Sequence, residues 1–297
     1  MRRSAACVST RVRPRVRRAG SLARSALLAS GGITSSLPGF EATPFRLAGD
    51  TIIWVGCDAP AHPRVALIDA PGLAEVLDID ADTEIVISAS PQTLGGCGSP
   101  RDDALEAASR AILGLMSVST PRGFAVMWMG QVPLFPLSHR MDSARGLALS
   151  SGDGDTQAFV HHATRLLGAG AGLTPSGDDF VGGALFALRA MHAQGNATQM
   201  PTRDDAALWA AAAEQIITLA HKRTHPISAA LLSDLAHGES YAALHDFANA
   251  LATGDDHSAL SAATTVTRIG ASSGWDMLAG FVAALRGSAD ASFTPFL

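Results

Sequence analysis

The sequence predicts an α+β protein: a mostly antiparallel β-rich domain followed by an all-α domain. Between Pro44 and Ser90, short β-branched runs alternate with turn formers, whereas from about residue 154 onward alanine and leucine recur at helical spacing. A chain of 297 residues with 47% hydrophobic and 16% charged side chains is long enough for two domains and too apolar to stay unfolded. Its 29 glycines follow no collagen period. No apolar run approaches the roughly 20 residues that a membrane-spanning helix needs, so fibrous and membrane-spanning classes are excluded.

The chain opens with eight arginines and no acid in residues 1–24, and residues 1–34 are expected to form a disordered, arginine-rich arm. Arg24 interrupts the one apolar stretch there, Ser21 to Ile33, which argues against a secretory signal. Removing eight positive charges from the net −5 leaves −13 on the remainder. An acidic body disfavours a nucleic-acid footprint. Cys7, Cys57 and Cys97 form no C-x-x-C and suggest neither a disulfide framework nor a zinc site, which points to the reducing cytoplasm.

Residues 35–150 are expected to form the β-rich domain. Phe45-Arg46-Leu47, the turn Ala48-Gly49-Asp50 and Thr51 to Val55 read as a hairpin. Val65 to Ile68 and Glu84 to Ile87 read as further strands, and Gly123 to Leu134 as a strand pair bent at Gly130. Leu105, Ala108, Ile112 and Leu115 place a helix over Asp102 to Met116. A linker is expected at Ser150 to Gly154, before a helical domain at 151–297 with helices over 155–167, 178–194, 204–222, 227–237, 240–253, 257–268 and 275–286.

The densest chemical signal is Gly168-Ala169-Gly170-Ala171-Gly172-Leu173-Thr174-Pro175-Ser176-Gly177-Asp178-Asp179, running into a helix. Alternate glycines permit close backbone approach, and the following helix N-terminus offers free N–H donors suited to an anion. No Gly-Lys-Ser/Thr follows, and the spacing is not the dinucleotide fingerprint. A plain helix cap explains the same residues about equally well. However, Ser272-Ser273-Gly274-Trp275-Asp276 repeats the pattern: Ser-Gly-x-Asp recurs at an offset of 97, and Gly183/Gly280 and Leu188/Leu285 continue it. Two small-faced helices packed together would then present Asp179 and Asp276 to one cleft. Such a pair can hold an amide, contribute to a Mg²⁺ site, or act as acid and base. The sequence requires no cofactor, and no metal ligand set is assigned.

The cluster His221-Lys222-Arg223-Thr224-His225-Pro226-Ile227-Ser228 suits a carboxylate or phosphate, although charges answering a helix C-terminus are an equal explanation. Pro226 biases His225 away from the helical region, so His221 and His225 are not read as a metal pair. Asp179, Asp276 and Lys222 are the candidate catalytic residues. Gly168, Gly170, Gly172, Thr174, Ser176, Gly177, Asp178, Arg223, Thr224, Ser228, Ser272, Ser273, Gly274 and Trp275 are the candidate anion-binding set.

Segments 168–180, 224–232, His237-Gly238-Glu239 and 269–280 together resemble the bacterial AllH-like family, formerly a domain of unknown function and related to the AllH subunit of oxamate carbamoyltransferase. The resemblance extends over about residues 35–287, more weakly in the β-rich half. It implies ureide catabolism, with oxalurate and phosphate converted to oxamate and carbamoyl phosphate alongside two partner subunits. It carries no residue-level catalytic assignment. The alternative is a noncatalytic scaffold or metabolite-sensing subunit that binds a small anion at the paired helix ends.

Overall fold

Short runs of valine and isoleucine, bounded by turn residues, build the N-terminal sheet. The computed structural model describes residues 13–70, 75–86, 100–192 and 203–287, and contacts divide the chain into a unit over Met1–Ile87 and another over Ser88–Leu297. In the first unit, β1 (Val16–Gly20), β2 (Ser35–Ser36), β3 (Phe45–Ala48), β4 (Thr51–Gly56), β5 (Val65–Ile68) and β6 (Glu84–Val86) form one mixed sheet. Its order is β2-β3-β4-β5-β1-β6. Three pairings are antiparallel, while β4–β5 and β1–β6 are parallel. The predicted hairpin is β3–β4, with Ala48 opposite Thr51 and Gly49 at φ +58°, the left-handed geometry a two-residue turn requires.

The expected disordered arm differs from what forms. Residues 1–12 and the cysteines Cys7 and Cys97 lie outside the described residues, but from Val16 on the arm supplies β1 and then α1 (Ser21–Ala29). Val16, Ala19, Ala23 and Leu27 join Ile53, Val55, Ala66 and Ile68 in one core. Arg15 and Arg18 meanwhile stay at the surface and pair with Asp80 at 2.9 Å and Glu84 at 3.3 Å. The arginine count hides an apolar pattern that buries one side of the segment.

The second unit is helical: α2 (Pro100–Val118), α3 (Met141–Asp153), α4 (Thr156–Leu166), α5 (Ser176–His192), α6 (Arg203–Arg223), α7 (Pro226–Ala236), α8 (Ala242–Thr253), α9 (Asp256–Val266) and α10 (Ser273–Arg286). The helices expected after residue 155 all form. The expected last two residues of the 178–194 helix lie outside the described residues. Two expectations are corrected. Gly123–Met129 is a 3-10 helix instead of a strand, because Phe124, Ala125, Met127 and Trp128 are all buried and the segment packs on α10. A short run apolar on every side does not distinguish strand from buried helix. The expected linker at Ser150 to Gly154 is the last turn of α3 and its left-handed cap at Gly154 (φ +72°), so α2 belongs with the helices and the units divide at Ile87/Ser88.

Helices α5 and α10 form the centre, and every residue of α10 from Gly274 to Leu285 is buried. Their crossing is reciprocal. A Cβ at Gly183 would strike the carbonyl of Met277, and one at Gly280 would strike the carbonyl of Phe180. Glycine in a helix interior costs about 1 kcal/mol against alanine. Here it lets the two backbones touch, and Phe186 and Phe281 then meet along the same seam at 6.2 Å.

The repeat reaches further back than the Ser-Gly-x-Asp motif. α3 and α8 both end in a left-handed glycine, Gly154 and Gly254, and the next residue, Asp155 or Asp255, caps the following helix through its side chain. Thr164 in α4 and Thr264 in α9 each bond back one turn, to the carbonyls of Val160 and Leu260. Gly170 and Gly270 both take positive φ and pack against Ser176 and Ser273. Thus α3–α4–α5 and α8–α9–α10 are two copies of one three-helix unit, and the loop before α5 is three residues longer than the loop before α10.

Candidate functional site

Gly168, Gly170 and Gly172 all adopt positive φ (+73°, +122° and +100°), so the alternate glycines do provide backbone that other residues could not. The loop folds back to let Gly177 N–H donate to the Ala169 carbonyl at 2.8 Å, which delivers Ser176 to the start of α5. The second copy does the same at α10 with Gly274 N–H and the Ile269 carbonyl at 3.0 Å. Gly177 and Gly274 are packing residues, since a Cβ would meet the carbonyl of Leu166 or of Val266.

The two adjacent aspartates of α5 have different surroundings. Asp178 accepts from Gly168 N–H at 2.7 Å and from the hydroxyls of Thr224 and Ser228, both at 2.6 Å. It ties the glycine loop to the α6–α7 corner and positions the loop. Asp179 is 7% exposed and Asp276 is 0% exposed. One oxygen of Asp276 accepts from the backbone N–H of Phe124 at 2.7 Å, while Oδ2 of each carboxyl has no hydrogen-bond partner of standard geometry. The hydroxyls of Ser176 and Ser272 lie beside Asp276, and those of Thr174 and Ser273 beside Asp179. Across the mouth, Thr174 meets Ser273 at 2.7 Å and Ser176 meets Ser272 at 3.4 Å. Thr174 belongs to the first loop, the longer of the two by three residues. Thr174, Ser272, Ser273 and Gly123 are half-buried and form the rim.

Burial and the charge of Asp276 hold Asp179 well above the ordinary carboxylate range. Burial pushes Asp276 up to about 7, against the opposing effect of the Phe124 N–H. Neither carboxyl has a cationic partner among the described residues. The described residues also contain no group of three or more His, Cys, Asp or Glu disposed to hold a metal ion.

The cationic cluster stands apart. Lys222 is exposed and makes no described bond to either carboxyl, and the Arg223 guanidinium donates to the Thr164 carbonyl at 3.2 Å. His225 takes the extended N-cap position of α7, as Pro226 requires, and its Nε2 lies 3.3 Å from the Gly172 carbonyl. Trp275 is buried against Trp128, their ring centroids 6.2 Å apart, and belongs to the core.

Three residues near the pair carried no sequence signal. Gly123, at φ +57°, faces the Asp276 carboxyl so closely that a Cβ there would collide with it. Its neighbour Arg122 donates to the Ala271 carbonyl at 3.1 Å, which puts a cation beside the rim. Tyr241 is buried, and its hydroxyl is pushed further up by burial and by the charges of Asp179 and Asp234. Described surface cavities lie elsewhere, one of about 240 Å³ beside Leu185, Arg189 and Trp209, another of about 590 Å³ beside Asp246 and His257.

Residues 166–285 match the family model for the oxamate carbamoyltransferase subunit AllH. Over that span the chain is similar to the AllH family. The AllH span begins at the end of α4 and takes in both Ser-Gly-x-Asp corners, the α6–α7 turn and Tyr241. It is shorter than the extent of the resemblance read from the sequence, leaving out the β-rich unit and Arg122 to Phe124. No curated protein and no solved structure matches the chain. No helix among the described residues is long and apolar enough to cross a membrane.

Proposed function

We propose that this chain is a subunit of a cytoplasmic carbamoyltransferase-type assembly acting on small ureide or oxamate-like anions. The proposed reaction converts oxalurate and phosphate to oxamate and carbamoyl phosphate, or runs on close relatives of these compounds. The observation that carries the reading is the pair Asp179 and Asp276: two buried carboxyls, each with an oxygen lacking a partner, at the first turns of two packed helices inside the AllH span. A buried acceptor left unpaired costs about 1–3 kcal/mol, a cost that a ligand carrying N–H donors removes.

The amide end of the substrate enters between the rim hydroxyls and lies against the two carboxyls. Its anionic end faces outward, toward the positive ends of α5 and α10, the N–H groups of the 170–172 backbone and the Arg122 guanidinium. Fixed donors that meet developing negative charge are usually the largest single contribution to catalysis, so the glycine loop matters as much as either aspartate. AllH is named as a subunit, and this chain is proposed to work with partner subunits that complete the phosphate site.

The test is affinity purification of the tagged full chain from its native host, with an assay of the eluate on oxamate plus carbamoyl phosphate. Carbamoyl transfer in the co-purified assembly, reduced at least tenfold by Asp276→Asn, is the expected result. An assembly without that activity and without affinity for oxamate would remove the reading. Oxamate binding without turnover in the complete assembly would make the chain a metabolite sensor.

A further inference from the structure

The two copies of the Ser-Gly-x-Asp corner are alike in backbone and unlike in what surrounds their carboxyls. Asp276 receives a backbone N–H, from Phe124 at 2.7 Å, a donor that favours the ionised form. Gly123 makes this approach possible, because any side chain there would occupy the space of the carboxyl. Among the described residues, Asp179 receives no backbone donor from outside its helix. The groups that face it are the hydroxyls of Thr174 and Ser273, the phenol of Tyr241 at the start of α8, and the carboxyls of Asp276 and Asp178. Ser176 and Ser272 face Asp276. No described cation compensates either group. Two carboxyls held together under these conditions do not both ionise, and the one with the fixed N–H donor gives up its proton first.

We propose that the pair is a matched donor and acceptor for one primary amide: neutral Asp179 donates to the amide carbonyl oxygen while ionised Asp276 accepts from the amide N–H₂. This inference rests on the functional reading above and sharpens it, since it names the recognised group as a planar carbamoyl or oxamate amide, C(=O)NH₂. A dicarboxylate of the same size offers no N–H to Asp276 and is rejected. An alkyl ammonium offers no carbonyl to Asp179 and leaves that proton unused.

The asymmetry is testable because asparagine mimics a neutral carboxyl and not an ionised one. In Asp179→Asn the side-chain N–H₂ replaces the lost O–H donor. In Asp276→Asn the side chain turns a second N–H₂ toward the amide N–H₂. Oxamate and oxalate are titrated calorimetrically into the full chain, purified with any co-purifying partners, at about pH 8. The wild type is expected to bind oxamate and to bind oxalate at least tenfold more weakly. Asp179→Asn should weaken oxamate binding only a few-fold, Asp179→Leu by about tenfold more than that, and Asp276→Asn by at least about thirtyfold.

Infrared difference spectra supply a readout independent of any ligand. The carbonyl stretch of a neutral, buried carboxylic acid should be present at pH 8, disappear in Asp179→Asn and survive in Asp276→Asn. Equal losses of oxamate affinity in the two asparagine variants, or a neutral-acid band that survives Asp179→Asn, would overturn the division of roles. Wild-type protein that shows the expected band but binds no oxamate would overturn the functional reading instead, and with it the amide as the recognised group.

Discussion

A methyl group at position 123 would overlap the Asp276 carboxyl, and the left-handed φ of +57° is itself unfavourable for any residue with a Cβ. Gly123→Ala is therefore expected to lower stability by about 2 kcal/mol, in the range seen for overpacking, and to weaken oxamate binding. Chemical denaturation and calorimetry check the two effects separately. The pair also links folding to pH. The folded value of Asp276, about 7 against an ordinary 3.8, means that the folded state binds a proton the unfolded state has lost. That contribution to stability is full at low pH and disappears as pH rises through 7, and Asp179, also raised by burial, adds to the same trend.

Buried His245, whose Nε2 accepts from Ser240 N–H at 3.1 Å, works the other way. Burial lowers it from 6.5 to about 4, so its contribution is present above 6.5 and is lost as pH falls. The two trends oppose each other below pH 6.5, and above it only the carboxyls act. Stability is expected to decline from pH 6.5 to about 8 by at most about 1.4 kcal/mol per unit for each proton. Asp276→Asn should flatten that decline, as urea midpoints across this range will show. A wild-type midpoint that stays constant over the interval contradicts the burial of an uncompensated pair.

Among the elements, the α5–α10 crossing makes the clearest demand. Alanine at Gly183 or Gly280 gains about 1 kcal/mol in helix propensity, yet its Cβ must displace the backbone carbonyl of the facing helix. Net destabilisation of about 2 kcal/mol or more is expected for each, with the double variant less than additive because one separation of the helices relieves both clashes. Thermal unfolding of the three variants measures this. The helices after residue 155 were legible because apolar spacing and Asp, Gly or Pro punctuation agree at every boundary. Helix α3 was not, since MDSARGLALSSGD carries three serines, two glycines and two aspartates. Packing of Ala144 and Leu147 into the core sustains it despite poor intrinsic propensity. The carboxyl pair was readable because the duplication preserves the spacing around it. Arg122, Gly123 and Tyr241 were not, since only the folded chain brings them to the aspartates.

For the whole molecule, the division at Ile87/Ser88 predicts that residues 88–297 expressed alone fold cooperatively with a helical circular dichroism spectrum. Each unit has its own core, the sheet unit around Ile53 and Ala66 and the helical unit around Phe180 and Phe281. Broad, non-cooperative melting of the isolated helical unit would show that the sheet unit is needed to order it.

The reciprocal glycine contacts have a consequence for assembly. Two identical polypeptides meeting through such a surface would form an isologous dimer, with each corner repeated unchanged across a symmetry axis. Here both halves of that contact are on one polypeptide, so the surface is already saturated and unavailable to another copy. The fusion also frees the two halves to diverge. One loop lengthened by three residues, and one carboxyl met by a backbone N–H from a segment outside both repeats, make the halves unequal, which no symmetric pair of identical chains could achieve.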